Sequence, residues 1–149
     1  MGDPKRQHKK YIRPKKLSEG LIAEERAIVE TYGLKNKREI WKAESQINRI
    51  REQAKKLILD SESQPAFFNR LMKIGLIKSN STIDDVLALT KEKMLDRRFQ
   101  TVVFKKGLAK TIKEARQLIT HKKICIDGKI VDIPGYIIKI NEETTVTKK

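Results

Sequence analysis

The fold is decided by residues 95–140, LDRRFQTVVFKKGLAKTIKEARQLITHKKICIDGKIVDIPGYIIKI, which predict two short basic helices followed by a small sheet. The apolar residues of the first helix recur at the three- and four-residue steps that bring side chains onto one helix face. They are Leu95, Phe99, Val102 and Val103. The polar residues between them fall largely off this face, and we expect them to be exposed: Arg97, Arg98, Thr101 and Lys105.

The second helix has signals at both ends. Gly107 supplies the left-handed residue that ends the first helix, and Thr111 with Glu114 matches the capping box that begins the second. The helix ends at His121, Lys122 and Lys123, where the helix dipole favours cations. Its buried face is predicted to consist of Ile112, Ala115, Leu118 and Ile119.

A β-hairpin follows the second helix. Asp127 and Gly128 separate two apolar runs, 124–126 and 130–131, and this pair tolerates the positive φ angles of a tight hairpin turn. Pro134 and Gly135 then predict a second turn, and residues 136–140 read as the last strand. The tail from 141 to 149 is polar and is expected to be loose.

The order of these residues resembles a known module. The runs RRFQT (97–101), KKGLAKT (105–111), ARQLI (115–119) and DGKIV (127–131) are similar to the S-four RNA-binding module, a compact unit of two helices and a sheet. Upstream, GLKNKREIWKAE (33–44) resembles the archaeal and eukaryotic branch of the small-subunit ribosomal protein family that gave the module its name. The resemblance covers nearly the whole chain, from about Tyr11 to Ile140.

This resemblance implies a structural constituent of the small ribosomal subunit in the cytoplasm. By this resemblance, the protein would bind small-subunit ribosomal RNA, contact neighbouring ribosomal proteins, help nucleate subunit assembly and affect translational accuracy. A position near the side where messenger RNA enters is also implied. Carried over residue by residue, the RNA-facing surface would include Arg97, Arg98, Thr101, Lys105, Lys106, Arg116, Gln117, His121, Lys122, Lys123 and Lys129.

The charge of the chain independently favours a polyanionic partner. The chain has 34 Lys and Arg against 19 Asp and Glu, a net charge of +15. Residues 1–16 hold seven basic groups and one acid, and residues 94–149 hold thirteen and six, whereas the stretch between them is nearly balanced. Because neutralising phosphates releases counterions, two cationic ends around a balanced middle are typical of a nucleic-acid binder. Solubility alone is the alternative explanation.

The N-terminal arm, residues 1–16, has almost no apolar surface to bury. We expect it to be disordered alone, so that its removal leaves the fold intact, and to fold on docking to RNA. A solvated tail is the alternative. The candidate RNA contacts in the arm are Lys5, Arg6, Lys9, Lys10, Tyr11, Arg13, Lys15 and Lys16.

Residues 17–93 predict a helical lobe. Asn36 and Glu39 match a capping box, and the helix that follows carries an apolar stripe at steps of three and four: Ile40, Ala43, Ile47, Ile50, Ala54 and Leu57. We expect this stripe to pack within the chain. Trp41 is interpreted as inter-helix packing rather than as a platform for a base, while four cations off the stripe could contact phosphates: Arg38, Lys42, Arg49 and Lys56.

The fold class is therefore α+β, with a basic arm (1–16), a helical lobe (17–93), the RNA-binding module (94–140) and a polar tail (141–149). No enzyme is expected, because the two histidines lack partners at triad or metal-ligand spacing and no glycine-rich phosphate loop exists. No metal, cofactor or small-molecule substrate is expected as a partner. A membrane is not expected either, since no apolar run of about 20 residues is present. Cys125 reads as a core side chain.

Two other functions use the same module. An RNA-modifying or tRNA-charging enzyme would need a catalytic domain for which this chain has no room. A free-standing RNA-binding stress or quality-control factor would need no helical lobe, so the lobe argues against it.

Overall fold

The computed structural model describes residues 11–15, 18–58 and 63–149. The helices are α1 (Glu19–Thr31), α2 (Arg38–Leu57), α3 (Gln64–Ile74), α4 (Ile83–Leu87), α5 (Lys91–Asp96), α6 (Phe99–Lys105), α7 (Ile112–Thr120) and α8 (Ile140–Thr144). The strands are β1 (Ile124–Ile126), β2 (Lys129–Ile130) and β3 (Thr147–Lys148). Helices with a small three-stranded antiparallel sheet confirm the α+β class.

The first hydrophobic core is built around α2. The predicted stripe is confirmed, because Ile40, Ala43, Ile47, Ile50 and Ala54 are all buried and Leu57 packs against them. Helices α3, α4 and α5 cover this stripe, so it packs within the chain. Helix α3 ends at Gly75, whose φ of 81° is the left-handed conformation that a helix C-terminus favours.

The second core lies between α6, α7 and the sheet. Its fully buried side chains include Phe99 of α6, Ile119 of α7 and Ile124 of β1. The predicted hairpin is confirmed: Cys125 pairs with Ile130 across the turn, and both turn residues have positive φ, 49° at Asp127 and 76° at Gly128. Cys125 is buried, as expected for a core side chain.

The first predicted basic helix is interrupted. Helix α5 ends at Asp96, and Arg98 is extended, with φ −70° and ψ 141°, before α6 begins. The extended residue forms an antiparallel bridge with Ile137, and the Phe99 N–H donates to the Tyr136 carbonyl at 2.8 Å. Residues 134–138 therefore pair with the break between α5 and α6.

The predicted strand at 136–140 is wrong for this reason, since that backbone is used at the helix break. The edge of β1 is instead completed by β3, in the segment that we expected to be loose. Val146 anchors this tail because its side chain is buried in the second core. The boundaries proposed for arm, lobe, module and tail stay predictions.

The two capping predictions have different outcomes. Thr111 accepts from the Glu114 N–H at 3.1 Å and caps α7 as predicted. The box expected from Asn36 and Glu39 is wrong: Lys37 is the residue before α2, without a side-chain capping bond. The Glu39 carboxylate is engaged by arginines from the second core instead.

Candidate nucleic-acid interface

The C-terminal end of α7 presents an exposed polar cluster. Ala115 and Ile119 bury one face of the helix, so the opposite face and the residues after the helix are left to solvent. The exposed members are Gln117, His121, Lys122 and Lys123, here called the helix-end cluster. Lys122 has a φ of 59°, which turns the chain toward β1. None of the cations in this cluster forms an ion pair with a described residue.

Two further predicted groups of cations lie on exposed surfaces. Lys129 in the hairpin and Lys106 at the end of α6 are exposed and have no ion pair within the described ranges. Lys105 contacts Asp96 at 2.8 Å, but both side chains are well exposed and such surface pairs contribute little free energy. All three lysines could therefore approach a phosphate without breaking a buried contact.

Arg98 is buried, contrary to the sequence prediction. Its side chain is only 7% exposed, and its Nη2 lies 2.7 Å from Oε2 of Glu39. The helix break at Arg98 directs the residue toward α2, which explains why helical periodicity misplaced it. The expected exposure of Arg98 is therefore wrong, and its side chain forms an ion pair between the two cores, while its contact with RNA stays a prediction.

Arg116 reaches the same carboxylate. Its Nη2 lies 3.4 Å from Oε1 of Glu39, and its Nη1 donates to Oε1 of Gln100 at 3.3 Å. Burial alone raises the pKa of Glu39, but the hydrogen bond and charge of Arg98, with the charge of Arg116, outweigh it and lower the pKa. The carboxylate is thus held ionised between two guanidinium groups. Arg116 remains a quarter exposed, so it alone of the two arginines retains appreciable solvent contact.

Two other predicted residues of the module have structural partners. Thr101 is buried and its hydroxyl donates to the Leu95 carbonyl at 2.9 Å, so the expectation that it is exposed is wrong. Arg97 is partly buried, and its Nη1 contacts Glu143 of α8 at 2.7 Å. Their polar groups stabilise the helix break and the tail.

Gln100 is a key residue that the sequence reasoning missed. Its side chain is 1% exposed, and its amide donates to the carbonyls of Gly33 and Ile112 while its oxygen accepts from Arg116. It links the turn before α2 to the start of α7. The run RRFQT contained it, but periodicity alone placed it off the apolar stripe without indicating a partner.

The described part of the arm lies on α2. The Tyr11 ring centroid is 6.1 Å from that of Trp41, the Arg13 guanidinium carbon is 5.9 Å from the Trp41 ring, and the Ile12 N–H donates to Ser45. The packing role of Trp41 is confirmed, since its indole N–H also donates to Glu25 of α1 at 2.7 Å. Lys15 is exposed. Lys5, Arg6, Lys9, Lys10 and Lys16 lie outside the described residues.

The four predicted cations of α2 are exposed on its polar faces: Arg38, Lys42, Arg49 and Lys56. Lys42 lies one turn after Glu39 and lines a groove between the two cores. Among the residues that the structure describes, no cluster of three His, Cys, Asp or Glu could hold a metal ion. In the same part of the chain, no helix has the length and apolar character needed to span a bilayer.

Comparison with known proteins gives matches both to the C-terminal module and to nearly the whole chain. The family model of the S4 domain matches residues 97–143, which include the helix break, α7 and the hairpin. The small ribosomal subunit protein uS4 of Ignicoccus hospitalis is 45% identical, with 98% of this chain and 92% of the relative covered. The proteins of the same name from Hyperthermus butylicus and Thermoplasma acidophilum are 45% and 44% identical, with 86% and 78% of their lengths covered.

Proposed function

Since this chain belongs to the uS4 family of small ribosomal subunit proteins, we propose that it is a structural constituent of the small ribosomal subunit that binds small-subunit ribosomal RNA directly. The observation that carries the proposal is the helix-end cluster together with Lys106 and Lys129. The four lysines of this set, Lys106, Lys122, Lys123 and Lys129, are exposed and have no carboxylate partner among the described residues. Cations held in this way can neutralise phosphates without first losing a stabilising contact.

The recognition is of RNA shape and backbone. The deep, narrow major groove of A-form RNA does not admit side chains, so phosphates and sugars are the accessible groups along a helical region. The cations of α6, α7 and the hairpin lie on short elements that share one hydrophobic core, which fixes their spacing. Fixed spacing would allow the surface to fit one arrangement of RNA helices in preference to others.

The same role includes help in nucleating subunit assembly, contact with neighbouring small-subunit proteins, proximity to messenger RNA and an influence on translational accuracy. In this role the protein is not an enzyme and acts in the cytoplasm within the small subunit. Purified small subunits should contain the chain in a one-to-one ratio with the ribosomal RNA. Its absence from them would favour the free-standing RNA-binding factor instead.

A direct test removes cations of the helix-end cluster. The double variant Lys122→Ala/Lys123→Ala should bind small-subunit ribosomal RNA more weakly, and its slope of log affinity against log salt should fall by roughly one for each lost phosphate contact. Lys73→Ala is the matched control, because Lys73 is an exposed cation in the last turn of α3, a helix that packs in the first hydrophobic core. Filter binding at several salt concentrations measures both quantities. Equal affinities and slopes in the two variants would contradict the placement of RNA on this surface.

A further inference from the structure

One uncharged side chain joins the two hydrophobic cores. Gln100 of α6 is 1% exposed, and its amide nitrogen donates to the carbonyl of Gly33 at 3.1 Å and to that of Ile112 at 2.9 Å. Its amide oxygen accepts from Arg116 at 3.3 Å. Gly33 lies in the turn between α1 and α2, whereas Ile112 and Arg116 belong to α7. The donors and the oxygen of the amide are all used, so the contact requires an uncharged amide at this position.

Each end of this contact is anchored in its own core. Phe99, the neighbour of Gln100, is fully buried in the second core. Leu34, the neighbour of Gly33, is buried in the first core. A displacement of one core against the other must therefore break the hydrogen bonds of Gln100. Such a displacement is unfavourable, because it leaves buried polar groups without partners.

Gly33 allows this close approach of the two cores. Its φ is 56°, and a Cβ added there would lie 2.8 Å from Cγ2 of Ile112 and 3.0 Å from Nε2 of Gln100. Gly107 has a similar left-handed backbone, with a φ of 73°, but a Cβ added there meets no described atom within 4 Å. Gly107 thus needs only the conformational freedom of glycine, whereas Gly33 needs the space as well.

The ion pairs of Glu39 do not replace the contact of Gln100. They hold the first turn of α2, whereas Gln100 holds the turn before this helix. Contacts at two places fix an orientation, whereas a single contact leaves rotation about it. The bonds from Gln100 to the two carbonyls also join uncharged groups, so salt does not screen them. The orientation of the cores therefore does not depend on charge alone.

We propose that Gln100 is a positioning residue, which holds the two cores in one fixed orientation. It thereby fixes the spacing between the cations of α2 and the helix-end cluster. The proposal rests on the proposed RNA-binding function, because two cationic surfaces at a fixed spacing can bind one RNA without the cost of ordering them first. Gln100 is itself buried and acts through the elements that it joins.

Distances between spin labels in the free, full-length protein test this role. In a Cys125→Ala chain, labels at Lys55 of α2 and Lys113 of α7 report on the orientation of the cores, since both side chains are exposed. Labels at Lys113 and Lys129 report on the second core alone.

The first variant is Gln100→Glu, which keeps the shape of the side chain but turns a carboxylate oxygen toward the carbonyls of Gly33 and Ile112. The 55–113 distance distribution should broaden, and the 113–129 distribution should stay unchanged. Gln53→Glu is the matched control, because Gln53 is an exposed glutamine of α2, and it should change neither distribution.

Gly33→Ala is the second variant and keeps the test valid if Gln100→Glu does not fold. Its control is Gly107→Ala, which introduces similar backbone strain without the clash. Only Gly33→Ala should broaden the 55–113 distribution. It should also lower the affinity for small-subunit ribosomal RNA about tenfold, roughly the cost of immobilising one or two side chains on binding. The slope of log affinity against log salt should stay unchanged, because the same phosphates are still contacted.

Unchanged 55–113 distances in the folded variants would overturn the proposal, and so would unchanged RNA affinity in a variant whose distances have broadened. Broadening of the 113–129 distribution as well would show that these residues stabilise the second core rather than position it, and a lower salt slope in Gly33→Ala would show lost phosphate contacts instead. An unmodified chain that does not bind the RNA would refute the proposed function, while the label distances, measured without RNA, would still decide whether Gln100 fixes the orientation.

Discussion

Replacing Glu39 by Gln should destabilise the protein far more than a surface substitution does. The change keeps the shape of the side chain but removes the charge that Arg98 contacts at 2.7 Å and Arg116 at 3.4 Å. Arg98 is then left as a buried guanidinium beside a neutral amide. Removing one partner of a buried ion pair costs roughly 3–5 kcal/mol. Because Glu39 is 19% exposed and solvent screens part of the loss, we expect the lower end, about 3 kcal/mol.

Urea unfolding followed through the emission of Trp41, the single tryptophan, measures this difference. In thermal unfolding, the same loss should lower the melting temperature by about 6–12 °C for a chain of this size. Lys105→Gln is the matched control, since it breaks the exposed pair with Asp96 and should change the free energy of unfolding by less than about 1 kcal/mol. A Glu39→Gln variant as stable as this control would refute the view that the ion pair holds the two cores together.

Replacing both partners tests the mechanism further. Arg98→Met with Glu39→Leu removes the buried pair, while Arg116, which also loses its carboxylate, is a quarter exposed and keeps its hydrogen bond to Gln100. Apolar replacement of a buried pair is often neutral or stabilising. The double variant should therefore be more stable than Glu39→Gln, and a double-mutant cycle gives the coupling energy. Additive losses would show that the two side chains act independently.

The remaining predictions concern pH, the arm and salt. Folding lowers the pKa of Glu39, so the ion pair makes its full contribution to the free energy of unfolding above pH 4.5, the ordinary pKa of a Glu carboxyl. This contribution is lost as the pH falls through the lower pKa that Glu39 has in the folded protein. The stability difference between the wild type and Glu39→Gln should thus narrow below pH 4.5 in acid titrations of the unfolding midpoint, and a constant difference would contradict it. Tyr11→Ala should destabilise the free protein by about 1 kcal/mol and shift the emission of Trp41, since an aromatic contact is lost; unchanged emission would show that the arm does not dock in solution. RNA binding should lose several decades of affinity over a few-fold rise in salt, as expected for roughly six or more phosphate contacts, and a flat plot in filter binding would exclude them.

The contacts of residues 11–13 with α2 change the expectation for truncation. Residues 1–16 were expected to contribute nothing to folding because they hold almost no apolar surface. Tyr11 and Arg13 nevertheless contact Trp41, and Ile12 bonds to Ser45. Composition could not show this, because the partner is a single tryptophan on α2 rather than the hydrophobic core.

The sequence alone determined the elements whose signals are local. The apolar stripe of α2 repeats every three or four residues, and Asp127–Gly128 accepts the turn that joins β1 to β2. Gly107, with a φ of 73°, and Thr111 mark helix ends because their backbone and side-chain chemistry acts on adjacent residues. The exposed helix-end cluster was likewise readable, since it follows from which α7 positions are apolar.

Only the tertiary structure decided the interior between the two cores. Arg116 and Glu39 are 77 positions apart, so no periodicity relates them. The break that buries Arg98 depends on backbone pairing with residues 134–138, and β3 joins β1 through backbone hydrogen bonds that place few demands on side-chain type. Burial of a charge is favourable only when an opposite charge is delivered by another part of the chain. The sequence lists both charges, but the fold determines whether they meet.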